Sequence, residues 1–421
     1  MPNYLDLFAG AGGLSEGFFQ ANFTPVAHIE MDKAACCTLK TRSAYHWLRR
    51  IGQDQIYGEY LSGRIKRDTF YGQIPVAVLN PVLNYEISYK TLPVLFSRID
   101  ELLEHGRRSL DLIIGGPPCQ AYSLIGRATD ANNMVGDRRN YLYLLYAEFL
   151  KRYHPRFFVF ENVRGLLSAR DEDNQLHLEK MLTLFRQCGY STEYRILNAR
   201  NYGVLQNRQR IILIGKYGNY TDFYPNIQEI QTDCLVEEIF RDLPPLHAGE
   251  GGPWAVGTFA YHSQYLHDAG IKRCDGSPVT LHYARPHTEQ DLAIYRMVVE
   301  TWNREHNRLK YDALPANLRS HRNMTAFLDR FKVVAQDQPY SQTVVAHICK
   351  DGHYYIHPSL EQNRSITPRE AARLQTFPDN YYFESASGIP SRTTAFQQIG
   401  NAVPVRLAYC VATALANIWD E

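Results

Sequence analysis

The chain has 421 residues, and this length predicts two or three structural units of roughly 150 residues each. Hydrophobic residues make up 45% of the chain and charged residues 21%, which excludes a disordered protein, and no apolar run reaches the ~20 residues of a membrane span. The net charge of +1 excludes a global field that would attract a polyanion, although it does not exclude a local basic face.

The amino-terminal stretch predicts a strand, a glycine-rich turn and a helix. NYLDLF (residues 3–8) is an apolar run of strand length, AGAGG follows it, and LSEGFFQA then has helical periodicity. PVAHIEMD (25–32) predicts a second strand that ends in acidic residues. Since the start has neither the basic end nor the apolar core of a secretory signal, we expect a cytoplasmic protein.

Longer apolar runs follow in the middle of the chain. Strands are predicted at SLDLIIGG (109–116), RFFVFENV (156–163) and QRIILIGKY (209–217), and a helix at LYLLYAEFLKRY (142–153). Such continuous apolar strands are typical of a parallel sheet that is covered on both faces. Because strands alternate with helices, the sequence predicts an α/β fold with a doubly wound, mostly parallel sheet.

The alternation ends near residue 217, and the predicted units follow from that change. They are a first domain, a second and smaller domain, a bridging segment and a final segment, at residues 1–216, 217–340, 341–395 and 396–421. In the bridging segment, Thr367 and Glu370 have the spacing of a helix capping box. A last helix is predicted at 403–419, with a proline near its first turn.

The glycine-rich turn and a downstream acid indicate a ligand site. Gly10, Gly12 and Gly13 lie between a predicted strand and helix, where the backbone can approach a ligand and the helix offers N–H donors. Glu30 follows 20 residues after Gly10, at the end of the next strand, where such folds place a carboxylate that binds ribose hydroxyls. Glycines that only tighten a turn are the alternative. The combination favours a nucleoside-bearing cofactor without saying which one.

Cys119 follows the predicted strand 109–116, directly after Pro117 and Pro118. Ligands bind at the carboxyl ends of strands in such sheets, and two prolines would hold the thiol rigidly. A buried, inert cysteine is the alternative, and this stretch alone does not separate the two. None of the eight cysteines forms a C-x-x-C pair, so no metal site is predicted.

A carboxylate and two arginines complete the set. Glu161 ends an apolar strand, where a carboxylate is costly to bury unless it binds another group or has a functional role. A purely structural salt bridge to Arg164 is the alternative to a functional role. Arg208 and Arg210 occupy alternate positions beside the last strand, so an extended chain would point both to one side and suit a planar oxygen ligand. A solvated basic edge is the alternative for this pair. The sequence thus predicts a thiol, a carboxylate and two guanidiniums at the sheet edge that carries the cofactor loop.

Six motifs occur in an order that resembles one family. They run from residue 6 to residue 405 and read DLFAGAGGLSEGF, GGPPCQAYS, FENV, QNRQR, RSITPREAARLQTFP and QIGNAVPV. This set is similar to that of the DNA (cytosine-5)-methyltransferases of the bacterial restriction–modification type. One departure is the acid that many members carry in a short G-D motif to contact adenine. No such motif occurs between residues 50 and 110, where Asp68 and Asp100 are available acids.

The resemblance implies a cofactor, a partner and a set of site residues. S-adenosyl-L-methionine would be the cofactor, in the methyltransferase fold named after it, and double-stranded DNA the partner, with no metal. Cofactor contacts would come from Phe8, Gly10, Gly12, Gly13, Leu14, Glu30, Met31, Pro118, Asn401 and Val403. DNA contacts would come from Gln120, Ser123, Arg127 and Gln206, with Arg138 and Arg139 adding positive charge.

The implied reaction is methylation at C5 of a cytosine that is flipped out of the duplex. Cys119 would add to C6 of the ring, Glu161 would bind N3 and the exocyclic amine, and Arg210 would bind O2. Arg208 would support the same site electrostatically.

The resemblance also assigns the domains. The first domain would be catalytic, the final segment would return to it, and the second domain would recognise the target. Its candidate base-reading residues are Arg273, Arg285, Asn303, Arg304, Arg308, Arg319 and Arg322. The compact chain favours a monomeric modification enzyme of a restriction–modification system. A tRNA cytosine-5 methyltransferase, a DNA-binding protein without activity and a small-molecule methyltransferase are the alternatives.

Overall fold

The computed structural model describes residues 1–106, 109–118, 141–258, 261, 263–272, 278–319 and 327–420. Seven strands form its central sheet: β1 (Asn3–Leu7), β2 (Thr24–Glu30), β3 (Val82–Asn84), β4 (Leu112–Gly115), β5 (Phe157–Asn162), β6 (Tyr190–Asn198) and β7 (Gln209–Tyr217). Their order across the sheet is β3-β2-β1-β4-β5-β7-β6. A separate pair, β8 (Gly251–Gly252) and β9 (His282–Tyr283), lies in the second half of the chain.

The strand directions decide where the strand ends meet. From β3 to β5 all neighbours are parallel, whereas β7 runs antiparallel to both β5 and β6. The carboxyl ends of β1, β2, β4 and β5 therefore share one edge, and the amino end of β7 joins them there. In the register of β5 and β7, Glu161 lies opposite Ile212 and Asn162 opposite Ile211. The predicted α/β sheet is confirmed, with an antiparallel strand near one side.

Thirteen α-helices surround the sheet in the described ranges. In chain order, α1 to α13 are Gly13–Gln20, Lys33–Arg50, Asp54–Leu61, Arg67–Gly72, Val76–Leu79, Leu92–Gly106, Leu142–Tyr153, His177–Gln187, Gln264–Asp268, Glu289–Glu305, Pro368–Leu374, Arg392–Asn401 and Val405–Asn417. Helix α7 has the predicted bounds. Strand β6 was missed because only Tyr190 and Leu197 of its nine residues are buried, so it has no continuous apolar run.

Apolar side chains cover both faces of the sheet. On one face, α6, α7 and α8 pack Leu95, Tyr146 and Phe185 against the strands. On the other, α1 and α13 pack Phe18 and Leu407 against them. The helix nearest the carboxyl end of the chain thus lies on the sheet beside the first helix. The stretch Arg392–Asn417 is long and apolar enough to cross a membrane, but 72% of its most apolar window is buried inside the protein, as in a core helix.

Two further apolar clusters lie away from the sheet. One joins α2 and α3 to residues of the bridging segment, among them Phe377 and Phe383. The other surrounds α10 and includes Tyr295 and Phe331. The chain between 217 and 340 therefore builds its packing from helices and loops, since its one β-ladder in the described residues is the two-residue pair β8–β9.

Buried ion pairs hold the bridging segment together. Arg373 binds Asp242 and Asp379 at 2.6 and 2.7 Å, and Arg364 binds Glu370 at 2.7 Å, all with side chains at most 4% exposed. The capping box predicted for Thr367 and Glu370 is present at the start of α11. Buried charges are tolerated when each is paired and hydrogen-bonded, as these are.

His357, beside this network, should make stability depend on pH. Its ring lies 3.7 Å from Glu370, and burial, with Arg364 nearby, lowers the pKa of His357 to about 3 from 6.5. The unfolded chain therefore binds a proton that the folded chain excludes, so stability falls as pH drops below 6.5. Relative to His357→Gln, the wild type should lose about 1.4 kcal/mol per pH unit between pH 6.5 and about 3, and no more below that range. Urea unfolding of both proteins over a pH series measures this difference, and parallel slopes would contradict it.

Candidate active site

A cavity of about 440 Å³ opens at the shared edge of strand ends. The loops after β1, β2, β3, β4 and β5 line it, together with the amino end of β7 and the end of α12. Nine of the ten residues predicted to bind the cofactor lie on its wall: Phe8, Gly10, Gly13, Leu14, Glu30, Met31, Pro118, Asn401 and Val403. Of the predicted catalytic residues, Glu161 and Arg210 lie on the same wall. The volume falls in the range of small-molecule sites.

The loop after β1 fixes the carboxylate of Glu30. Gly10 N–H donates to Glu30 Oε2 and Asp32 N–H donates to Oε1, both at 2.8 Å. Burial raises the pKa of Glu30, although these amides favour the charged form. Phe8 adopts a left-handed conformation (φ 57°), and a Cβ on Gly10 would meet no atom within 4 Å because it would point into open space. The carboxylate is thus held at the wall beside a backbone that a ligand can approach.

Gly12 is the predicted cofactor residue that does not line the cavity. It precedes α1 at φ 81°, and a Cβ there would lie 2.8 Å from Leu39 Cδ2 and 2.9 Å from Tyr381 Oη. Its role in the structure is to let the turn pack closely against these side chains.

Glu86 is a candidate for the acid that contacts adenine in many members of the family and that no G-D motif marks in this sequence. Tyr85, Glu86 and Ile87 follow β3 and line the cavity. Asp68 lies on α4 and Asp100 on α6, where Arg152 and Tyr153 bind its carboxylate, and neither acid reaches the cavity wall. The sequence did not point to Glu86 because the strand before it, β3, has only three residues and leaves no recognisable apolar run.

Glu161 and Arg210 form a close ion pair on the cavity wall. Arg210 Nε lies 2.6 Å from Glu161 Oε1, with the side chains 10% and 13% exposed. Arg210 also donates through Nη1 to the Gln209 carbonyl at 2.8 Å. The alternative partner, Arg164, instead donates to Gln209 Oε1 at 3.1 Å. The antiparallel direction of β7 brings Arg210 to the carboxyl end of β5, so the pair depends on the sheet topology.

The turn after β4 is fitted against this pair. A Cβ on Gly116 would lie 2.5 Å from Glu161 Oε2, so a side chain at this position would displace the Glu161 carboxylate. The buried Asn162 donates to the Pro117 carbonyl at 3.4 Å and accepts from Val163 N–H at 2.9 Å. Asn162 is therefore a supporting residue that the sequence analysis did not single out, although it stands within the FENV motif.

The next residue after Pro118 is Cys119, which lies outside the described residues. The same holds for Gln120, Ser123, Arg127, Arg138 and Arg139, and for Arg273 and Arg322 of the second domain.

Arg208 lies behind the cavity wall. Its guanidinium is fully buried and binds the carbonyl of Val344, and its Nη2 donates to the carbonyls of Gly400 and Ala402 at 3.1 and 2.8 Å. The two arginines have different partners, since Arg210 binds the Glu161 carboxylate. Arg208 instead holds the backbone on both sides of Asn401.

Gln206 is also buried. It donates to the Leu374 carbonyl at 2.8 Å, and its Oε1 accepts from Val344 N–H at 2.9 Å. Its side chain thus joins the first domain to the bridging segment and has no exposed surface for DNA in this structure.

The described base-reading candidates of the second domain also have partners within the chain. Arg285 and Arg319 donate to backbone carbonyls, and Arg304 and Arg308 pair with acids, while Asn303 is exposed. No group of three or more His, Cys, Asp and Glu side chains in the described part of the chain is arranged to hold a metal ion.

Comparisons with known proteins agree with this geometry. A family model for C-5 cytosine-specific DNA methylases matches residues 3–62 and 85–417. The Type II methyltransferase M.Bpa9945I of Bacillus paralicheniformis is 38% identical, and the alignment covers 98% of both chains. M.DdeI of Desulfomicrobium norvegicum is 30% identical over 100% of this chain and 89% of its own length.

Solved structures share the fold at lower identity. A protein described as a DNA modification methyltransferase of an E. coli prophage has a TM-score of 0.62 at 20% identity, with 100% of each chain covered. Spodoptera frugiperda DNMT2 has a TM-score of 0.52 at 15% identity and 100% coverage of each chain. The fold is therefore that of the S-adenosylmethionine-dependent methyltransferases. Because the family model and the relatives span nearly the whole chain, this protein belongs to the C-5 cytosine-specific DNA methylases and is a DNA cytosine-5 methyltransferase.

Proposed function

We propose that this protein methylates C5 of one cytosine within a short specific sequence of double-stranded DNA, as the modification enzyme of a restriction–modification system in the cytoplasm. The Type II relatives support the biological setting. The observation that carries the chemistry is the Glu161–Arg210 pair on the same cavity wall as Glu30 and Pro118. Arg210 and Glu161 would supply a donor and an acceptor for the edge of a pyrimidine, and Pro118, on the same wall, is the residue before Cys119.

The residues on the wall fit S-adenosyl-L-methionine. The Glu30 carboxylate, already oriented by two amides, would accept hydrogen bonds from the ribose hydroxyls, and Met31 and Glu86 would flank the adenine. Phe8, Gly10, Gly13 and Leu14 would bind the methionine portion, and Asn401 and Val403 would close the other side. When bound, this cofactor supplies an electrophilic methyl group.

Cys119 would be the nucleophile. C5 of cytosine is too poor a nucleophile to take a methyl group directly. Addition of the Cys119 thiolate to C6 would form an S–C6 bond and move the C5–C6 π electrons to C5, which would take the methyl group as the bond from methyl carbon to donor sulfur breaks and leaves its electrons on that sulfur. A base, most simply water or hydroxide, then removes the C5 proton, and the electrons left on C5 restore the double bond and expel the thiolate.

Glu161 and Arg210 would stabilise the charge that develops in the ring. The Glu161 carboxylate would accept from the exocyclic amine and favour a proton at N3, while the Arg210 guanidinium would donate to O2. Because their ion pair is nearly buried, its orientation is set before the base arrives. Arg208 would act indirectly, by holding the backbone around Asn401.

The DNA would contact residues that follow the nucleophile. Gln120, Ser123 and Arg127 would bind the flipped nucleotide or its phosphates, since hydroxyl, amide and guanidinium groups are the usual phosphate and sugar contacts. The second domain would read the target sequence. We further propose that the protein acts on DNA as a monomer.

A trapping experiment tests the nucleophile. Bisulfite sequencing of DNA from cells that express the protein first identifies the target site. A duplex with 5-fluorocytosine at that site should then form a covalent complex with the wild type, because the fluorine replaces the proton that must leave C5. The Cys119→Ser variant should form no complex, since a serine hydroxyl is rarely ionised at neutral pH and a thiolate is the effective nucleophile.

The controls separate the alternatives. Cys188→Ser, at a buried cysteine far along the chain from the motif, should trap the duplex as the wild type does. A complex formed equally well by Cys119→Ser would refute the assignment. Methylation of tRNA in preference to duplex DNA would refute the proposed substrate.

A further inference from the structure

Helices α3, α4 and α5 form a segment, residues 54–79, between α2 and β3. The family model is interrupted from residue 63 to residue 84, so α4 and α5 lie outside what the model matches. The segment is firmly anchored: Leu61 O accepts from Ala255 N–H at 2.9 Å, and Arg67 donates to the carbonyls of Ser385 and Ala386 at 2.5 and 3.1 Å. It thus contacts both the second domain and the bridging segment.

The segment also binds a buried carboxylate, that of Glu384. Glu384 Oε1 accepts from Tyr60 Oη at 2.5 Å and from Thr41 Oγ1 at 2.7 Å, and Arg67 lies 3.6 Å from Oε2. The side chain of Glu384 is 2% exposed, so these groups replace the water that it lost on folding. Burial raises the pKa of Glu384, and each donor counteracts that effect by favouring the charged form.

The backbone of Glu384 in turn binds the wall of the cofactor cavity. Glu384 N–H donates to Thr38 Oγ1 at 2.8 Å, and this hydroxyl donates to Gln398 Oε1 at 2.6 Å. Gln398 Nε2 donates back to the Glu384 carbonyl at 2.8 Å. Gln398 is 5% exposed and lines the cavity three residues before Asn401. Hydrogen bonds therefore connect Tyr60 to Gln398 on the cavity wall through Glu384.

We propose that residues 54–79 act as a positioning element for the cofactor cavity, with Tyr60 orienting Glu384 and Glu384 orienting Gln398. The proposal rests on the cofactor site described under the proposed function. If Tyr60 loses its hydroxyl, a buried carboxylate loses one of its donors, and residue 384 shifts to regain one. Because both backbone polar groups of Glu384 bind the Gln398 network, such a shift moves the cavity wall.

The test compares two tyrosines of the same helix. Tyr57 and Tyr60 both lie on α3, both are nearly fully buried and both pack against Phe70. Tyr57 Oη donates to the Asn380 carbonyl at 2.7 Å and takes no part in the Glu384 network. The variants Tyr60→Phe and Tyr57→Phe thus remove the same atom, keep the ring packing and differ in the group that loses its donor.

The measurement is calorimetric binding of S-adenosyl-L-methionine without DNA, together with the Tm of the ligand-free protein. We expect Tyr60→Phe to weaken binding about 5- to 10-fold, the effect of part of one hydrogen bond to a charged group. Tyr57→Phe should bind as the wild type does, with a similar loss of Tm. Thr41→Val, which removes the second donor to the same oxygen, should weaken binding in the same direction and serves if Tyr60→Phe does not fold.

Other outcomes distinguish failure of the positioning role from failure of the proposed cofactor site. Wild-type affinity in Tyr60→Phe or Thr41→Val, or equal losses in Tyr60→Phe and Tyr57→Phe, would overturn the positioning role and leave the proposed function standing. A wild type that does not bind S-adenosyl-L-methionine would overturn the proposed cofactor site and the positioning role with it.

Discussion

Replacing Glu161 with glutamine should lower kcat by about 100- to 1,000-fold, the usual loss when one preorganised group is removed from a charged transition state. Glutamine has the same size, and it can still approach Arg210 and pass Gly116. It cannot favour a proton at N3 of the cytosine, because the amide has no negative charge. The substitution therefore removes the electrostatic role and leaves the shape of the wall intact.

The effect should appear in turnover and not in folding. We expect the Tm of Glu161→Gln to stay near that of the wild type, since the glutamine Oε1 can still accept a hydrogen bond from Arg210 Nε. Single-turnover methylation of the target duplex measures the rate. Glu193→Gln is the matched control, because Glu193 lies on β6, away from the cavity, and accepts hydrogen bonds from the backbone N–H groups of Phe223 and Tyr224. Unchanged turnover in Glu161→Gln would exclude Glu161 from the chemistry.

Replacing each arginine of the QNRQR motif with methionine should have different effects: Arg208→Met should mainly reduce stability, and Arg210→Met should mainly reduce turnover. Arg208→Met should lower the free energy of unfolding by about 3 kcal/mol, because the carbonyls of Val344 and Gly400 would stay buried without the Arg208 donor, and that of Ala402 would keep only Gln375. Urea unfolding measures this loss. Binding of S-adenosyl-L-methionine should weaken in any protein that still folds, since residues 400–402 form part of the cavity wall.

Arg210→Met provides the matched comparison. Arg210 is 10% exposed and binds Glu161 and its own neighbour, so its loss should change the free energy of unfolding much less. Turnover should fall about 100-fold or more, since the donor proposed for O2 of the cytosine is gone. If Arg208→Met folds as stably as Arg210→Met, the buried role of Arg208 is wrong.

The residues of the cavity wall were predictable because they stand in continuous motifs. Gly10, Gly13 and Glu30 lie at strand ends that an apolar run reveals, and the carboxyl ends of parallel strands meet at one edge for any such sheet. Tyr60 and Glu384 were not predictable. They lie more than 300 residues apart, and a buried tyrosine and a glutamate in an irregular segment carry no periodic pattern.

Motifs and local apolar periodicity were enough to predict the family, the α/β fold and the set of side chains with the required chemistry. The role of each polar side chain depends on its neighbours in the folded chain. Arg208 and Arg210 are two residues apart, yet Arg208 binds backbone carbonyls of Val344, Gly400 and Ala402, whereas Arg210 binds Glu161 on the cavity wall. A buried charge takes its role from the partners around it, and those partners come from distant parts of the chain.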